Sequence, residues 1–160
     1  MKSLYVRSGS RYRLAKGIEI QEAASYVEAR QFEADRTRIS EPEVVKGFLI
    51  KQIAHCLEEH FCVLFVDVQL RVIQFEKMFR GTIDSATVHP REVVRAVLDC
   101  NAAAVIFAHN HPSGHSAPSR MDVDLTNVLK AALALIDVKV LDHVVVGGAD
   151  AFSFAENGLI

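Results

Sequence analysis

FAHNHPSGHSAPSRMDVDL, residues 107–125, decides how the rest of the chain is read. An apolar run at residues 102–108 leads into it, and a helix-like pattern leads out. The lead-in has the length and continuity of a buried strand. Residues two apart in a strand share a face, so the rings of His109 and His111 leave on the same side. Pro112 holds His111 extended, and Pro112-Ser113-Gly114 turns the chain. A helix then starts at Ser119, which places Asp122 in its first turn. Two neutral imidazoles and one carboxylate converging from a strand end and a helix start suit a zinc ion. Three protein ligands leave a fourth position for water, the arrangement of catalytic rather than structural zinc. Ser119-x-x-Asp122 is also an N-cap followed by an acid at N3, which favours a helix with no metal present. The joint pattern is more demanding than any of its parts, and the metal-site reading prevails.

Bulk properties bound the alternatives. A chain of 160 residues, 50% hydrophobic and 24% charged, has the length and balance of one globular domain. No apolar run reaches the length of a membrane span, and the N-terminus has no apolar signal core, so a cytoplasmic protein with no membrane partner is expected. The three cysteines, Cys56, Cys62 and Cys100, are widely spaced with no C-x-x-C, and are read as reduced, buried thiols. A net charge of −2 argues against nucleic-acid affinity of the whole protein.

Outward from the central stretch, hydrophobic periodicity marks the remaining elements. Lys2, Arg7, Arg11, Arg13 and Lys16 make a basic, solvated arm with short extended pieces at residues 4–6 and 12–14. Residues 19–35 carry apolar groups at helical spacing, and the charged run 30–38 reads as a boundary. Domain limits of 1–37 and 38–160 follow. Ser40-Glu41-Pro42-Glu43 has the form of a capping box, and Val44, Val45, Phe48, Leu49, Ile53 and Cys56 mark the helix face after it. Residues 61–66 predict a central strand and 72–79 its hairpin partner, with a short strand or loop at 82–88. Pro90 opens a helix with Val93, Val94, Val97 and Leu98 inward, and His89 stands where a cap would. The helix from Ser119 runs to about residue 135 with Leu125, Val128, Leu129, Ala132 and Leu133 buried. Strands follow at 138–146, ended by Gly147-Gly148, and at 152–154. Strands alternating with helices of this length predict a three-layer α/β (α-β-α) sandwich with a mixed sheet.

The motif residues carry a resemblance as well. His109-x-His111, seven residues, then Ser119-x-x-Asp122 matches every fixed position of the JAMM (MPN+) metalloprotease signature. His111-Pro112-Ser113-Gly114 with Pro118-Ser119 resembles the bacterial RadC branch of that family. So do Val63-Leu64-Phe65-Val66-Asp67, Gly81-Thr82-Ile83-Asp84-Ser85-Ala86, His89-Pro90-Arg91-Glu92-Val93-Val94 and Leu141-Asp142-His143. The closing Ser153-Phe154-Ala155-Glu156-Asn157-Gly158-Leu159 fits too, so the resemblance runs from about Ile39 to the end.

This resemblance implies the same sandwich, a zinc ion on His109, His111 and Asp122, and hydrolysis of a peptide or isopeptide amide. It further implies a general acid–base glutamate just ahead of the first central strand. Matching the Val-Leu-Phe-Val-Asp strand selects Glu59, with Glu58 one register position away. The hydroxyl of Ser119 then donates to the oxyanion. Of the other histidines, His115 is expected to be an exposed loop residue and His143 a core or supporting group. Asn110, pointing away from its two histidine neighbours, is read as structural. The expected partner is a peptide or protein substrate, and oligomeric state is not legible.

A second function comes with the RadC likeness, that of a DNA-repair or mobile-element accessory protein. Only about 38 residues precede the matching stretch, leaving no room in this sequence for the helix-hairpin-helix-like portion of longer RadC forms. With the negative net charge, DNA binding is possible and disfavoured.

Overall fold

A computed structural model describes residues 4–39, 41–81 and 88–160. Strands β1 (Tyr5–Ser8) and β2 (Arg11–Leu14) form a separate hairpin, so the basic arm is folded back on itself though exposed. Helix α1 (Gly17–Ala34) follows, then α2 (Pro42–Ile53). Strand β3 (His60–Val66) pairs antiparallel with β4 (Val72–Arg80) through the turn at residues 67–71. Helix α3 (Pro90–Cys100) leads to β5 (Ala104–Asn110), and α4 (Arg120–Ala134) crosses over to β6 (Lys139–Gly147). β7 (Asp150–Ser153) closes the sheet in the order β4-β3-β5-β6-β7. Only the β5–β6 pair is parallel, as a helical crossover requires; every other pair in the sheet is antiparallel.

Sequence alternation builds the three layers. In β3, Cys62, Leu64 and Val66 face one way with Ala104, Ile106 and Ala108 of β5, and pack with Val45, Phe48, Leu49 and Ile53 of α2. Phe61, Val63 and Phe65 face the other way with Val105 and Phe107, against Val93 and Val97 of α3 and Leu129 and Leu133 of α4. Six of the seven β3 residues are buried, each contributing about 1.5–3 kcal/mol if fully apolar. A central strand covered on both faces is apolar on both, which is why its sequence shows no polar alternation.

Several expectations are corrected. Leu98, Val128 and Val44 are 60%, 54% and 41% exposed. Each lies at the margin of its helix's apolar stripe, and the helix rolls to bury the neighbouring turn instead. The N-cap of α2 is Glu41, with Pro42 in the first turn and no side-chain cap bond. Ser40 and residues 82–87, and with them the expected capping box and most of the expected strand or loop at 82–88, lie outside the described residues. His89 is the N-cap residue of α3, but its ring makes no capping bond and stands edge-on to Phe79. Of the free cysteines only Cys62 is fully buried, and burial pushes its thiol up. No helix among the described residues is long and apolar enough to cross a membrane.

Candidate metal centre

β5 and α4 bring His109, His111 and Asp122 together. One ligand atom from each lies within 4.8 Å of the others, the one such group of three among the described residues. His109 stands at the buried end of β5, 1% exposed, and His111 leaves the same face just beyond the strand. His111 N–H donates to Val146 O at 2.8 Å, which carries the β5–β6 pairing one step further and holds the second ring in line. Asp122 reaches the same point from the first turn of α4. Its Oδ1 lies 3.3 Å from His109 Nε2, and its Oδ2 3.6 Å from His111 Nε2.

Hydrogen bonds to carbonyl oxygens decide where the ring protons sit. Thr126 Oγ1 lies 2.6 Å from Asp122 O, an acceptor only, so the hydroxyl donates there. Thr126 Oγ1 must then accept from His143 Nδ1–H at 2.6 Å. His143 Nε2 is thereby an acceptor and receives the Nδ1–H of His109 at 2.8 Å. His143 is fully buried, and burial holds its pKa well below the ordinary histidine range, with His109 adding to the effect; it carries one proton. On the other ring, His111 Nδ1–H donates to His115 O at 2.8 Å.

Both Nε2 atoms therefore keep their lone pairs, and they face each other at 3.0 Å. Two such lone pairs and a carboxylate without a proton among them repel unless a cation stands between. Burial opposes ionisation of Asp122, yet His109 and the hydrogen bonds from Ser119 outweigh it and hold the carboxyl below its usual range. With imidazole nitrogens, a carboxylate and no competing donor, the donor set fits zinc.

The rest of the site is arranged around this triad. Ser119 is the N-cap of α4. Its backbone N–H and its hydroxyl both donate to Asp122 Oδ2, at 2.6 and 2.7 Å, and Asp122 N–H donates to Ser119 Oγ at 3.2 Å. The helix cap and the orientation of the acid are thus one device. The loop at residues 112–118 is packed against β6: an added Cβ at Gly147 would stand 2.4 Å from His115 C and Ser116 N. That contact seats the carbonyl which orients His111. His115 itself is exposed and contributes only its backbone.

Glu58 and Glu59 go separate ways. Glu58 pairs with Arg80, whose hydrogen bond lowers its carboxyl pKa. Glu59 makes no side-chain hydrogen bond or ion pair with a described residue. The β3–β5 register sets Phe61 opposite His109. The paired ladder ends there, so Glu59 lies two residues beyond it, just ahead of β3. A cavity of about 460 Å³ lies between α1 and β4, lined by Glu22, Tyr26, Arg30, Gln52, Phe75 and Lys77 among others, and holds none of the triad.

Thr126 is the supporting residue that sequence reading missed. It lies four residues after Asp122 and so on the same helix face, a polar group inside an otherwise apolar stripe, which was the available signal. His143, read as a core or supporting group, does both.

Comparison with known proteins agrees with this geometry. Residues 39–159 match the family model described as a RadC-like JAB domain. A UPF0758 protein of Methylibium petroleiphilum is 56% identical over 119 residues, covering 74% of this chain and 54% of that protein. UPF0758 proteins of Cellvibrio japonicus (52% over 120 residues, 75% of this chain) and Shewanella loihica (54% over 122 residues, 76% of this chain) are similar, each covered over 54% of its own length. The chain thus spans about half the length of these relatives. Its match over the whole sheet and the triad makes it a member of the RadC family, built on a RadC-like JAB domain.

Proposed function

We propose that this chain is a zinc-dependent hydrolase of amide bonds in a peptide or isopeptide substrate. One observation carries the reading: two imidazole lone pairs and a carboxylate, each oriented by its own hydrogen bonds, point at a common centre. His109 Nε2, His111 Nε2 and the Asp122 carboxylate would hold the ion. When bound, zinc supplies Lewis acidity, activating a water molecule and polarising the substrate carbonyl.

The chain's own residues do the remainder. Glu59 accepts the water proton on its carboxylate and delivers it to the leaving nitrogen, work typically contributing 10²–10⁴-fold. Ser119 turns its hydroxyl from Asp122 Oδ2 to the developing oxyanion, a kind of contact whose loss costs about 3 kcal/mol elsewhere. Its backbone N–H stays on Asp122 and keeps the acid in place meanwhile. His143 and Thr126 keep the proton of His109 on Nδ1 throughout. The free thiols fit a reducing, cytoplasmic setting.

Elemental analysis after dialysis against zinc tests the reading. The wild type is expected to retain one equivalent and His109→Ala none. A wild type that takes up no zinc would sink the proposal.

The relay gives a separate prediction. Thr126→Val removes the acceptor for His143 Nδ1–H and frees His143 to present the wrong tautomer to His109. Zinc affinity is expected to fall about 10–100-fold, as for other outer-shell partners. Competition against a chelating indicator measures it, and an unchanged dissociation constant would show that the relay does not orient His109.

A further inference from the structure

Asn110 sits between the two histidines and faces the opposite side of the sheet, 2% exposed. Its carboxamide is wholly used on one distant segment. Oδ1 accepts from His60 N–H at 2.9 Å, while Nδ2 donates to Glu58 O at 3.0 Å and to Cys56 O at 3.3 Å. The partners fix which end of the amide is which, because His60 offers a donor and Glu58 an acceptor. Gly81 N–H donates to Glu59 O at 2.7 Å from the neighbouring strand. The backbone is thus held immediately before, at and immediately after Glu59. Strand pairing between β3 and β5 ends at Phe61 and His109, so beyond that point the Asn110 side chain replaces the ladder.

We infer that Asn110 is a positioning residue which sets the Glu59 carboxylate relative to the metal centre. The inference rests on the hydrolase reading for what Glu59 does, though not for the clamp itself. Alternation in one strand end does both jobs: residues 109 and 111 go to the triad, and residue 110 goes to the segment bearing the acid–base group. Any slip between β3 and β5 is opposed by the carboxamide, which needs both a donor and an acceptor in place. Aspartate at this position keeps the volume and the bond to His60 but sets a carboxylate against two carbonyl oxygens.

Amide hydrogen exchange tests the clamp without any substrate. In Asn110→Ala the Gly81 amide, which Asn110 does not touch, is expected to exchange at least about tenfold faster as Glu59 loosens. Asn110→Asp gives the same signature should the alanine variant fail to fold. An unchanged Gly81 amide in a folded variant overturns the inference.

A double-mutant cycle on the zinc-loaded protein then tests the role. Asn110→Ala is expected to keep one equivalent of zinc and lower kcat about 10²-fold, the scale for a catalytic group displaced by about 1 Å. In a Glu59→Gln background the same change is expected to cost almost nothing further. A full-sized loss in that background would mean Asn110 acts elsewhere, and overturns the role. A wild type without zinc or turnover counts against the hydrolase reading, while the exchange result still decides the clamp.

Discussion

Glu59→Gln is expected to retain one equivalent of zinc while hydrolysing a peptide or isopeptide substrate about 10²–10⁴-fold more slowly than the wild type. Glutamine keeps the length and hydrogen-bonding reach of the side chain but cannot carry the transferred proton. Glu58→Gln is the informative control. Its carboxylate is committed to Arg80, and as an exposed ion pair it contributes little to stability. Turnover of that variant is expected within about threefold of wild type, the scale of an exposed substitution. If Glu58→Gln is the inactive one, Glu58 and not Glu59 is the acid–base group. If neither is impaired, no glutamate from this segment serves the reaction.

Gly147→Ala is expected to have the second large effect, although no side chain of the site is touched. An alanine Cβ would meet His115 C and Ser116 N at 2.4 Å and Gly114 O at 2.8 Å, all of them backbone atoms. The backbone of Gly147 accepts any residue, so the constraint is space alone. The loop must move off β6, and the carbonyl of His115 moves with it, leaving His111 Nδ1–H without its acceptor. A destabilisation of about 1–3 kcal/mol follows from overpacking. Zinc affinity drops about 10–100-fold from loss of the oriented ring. Gly47→Ala in α2 is the matched contrast. Its Cβ would meet nothing within 4 Å, and replacing a helical glycine is expected to stabilise by about 0.5–1 kcal/mol. Urea midpoints and zinc titrations of the two variants separate the effects. A Gly147→Ala protein of native stability and zinc affinity would show that the loop has room to give.

How far sequence reading reached depends on distance along the chain. The triad was legible because each part is local. A period of two put His109 and His111 on one side, and a helix start put Asp122 in reach. The sandwich was legible for a similar reason, since each strand and helix announces its own periodicity. Gly147 was not legible as a close-packing position, because the loop it receives lies some thirty residues earlier and only the folded sheet brings them together. Asn110 reads as structural because it points away from its two histidine neighbours, and its partners, 50 to 54 residues away, are not visible along the sequence. Helical spacing puts Leu98 and Val128 inward because it fixes the direction of the apolar stripe better than its width. The loop at residues 112–118 bears many turn-forming residues, yet packing against β6 leaves it well seated.

The relay from His109 through His143 and Thr126 ends on the carbonyl of Asp122. The acid that completes the triad also anchors, through its own main chain, the groups that orient the first histidine. Opening the first turn of α4 therefore removes a ligand and releases an imidazole in the same event, so partial occupancy by a half-formed pocket is disfavoured. On the zinc reading, cation capture and the folding of that turn would be a single equilibrium, and a ligated ion would protect the crossover between the two parallel strands from opening.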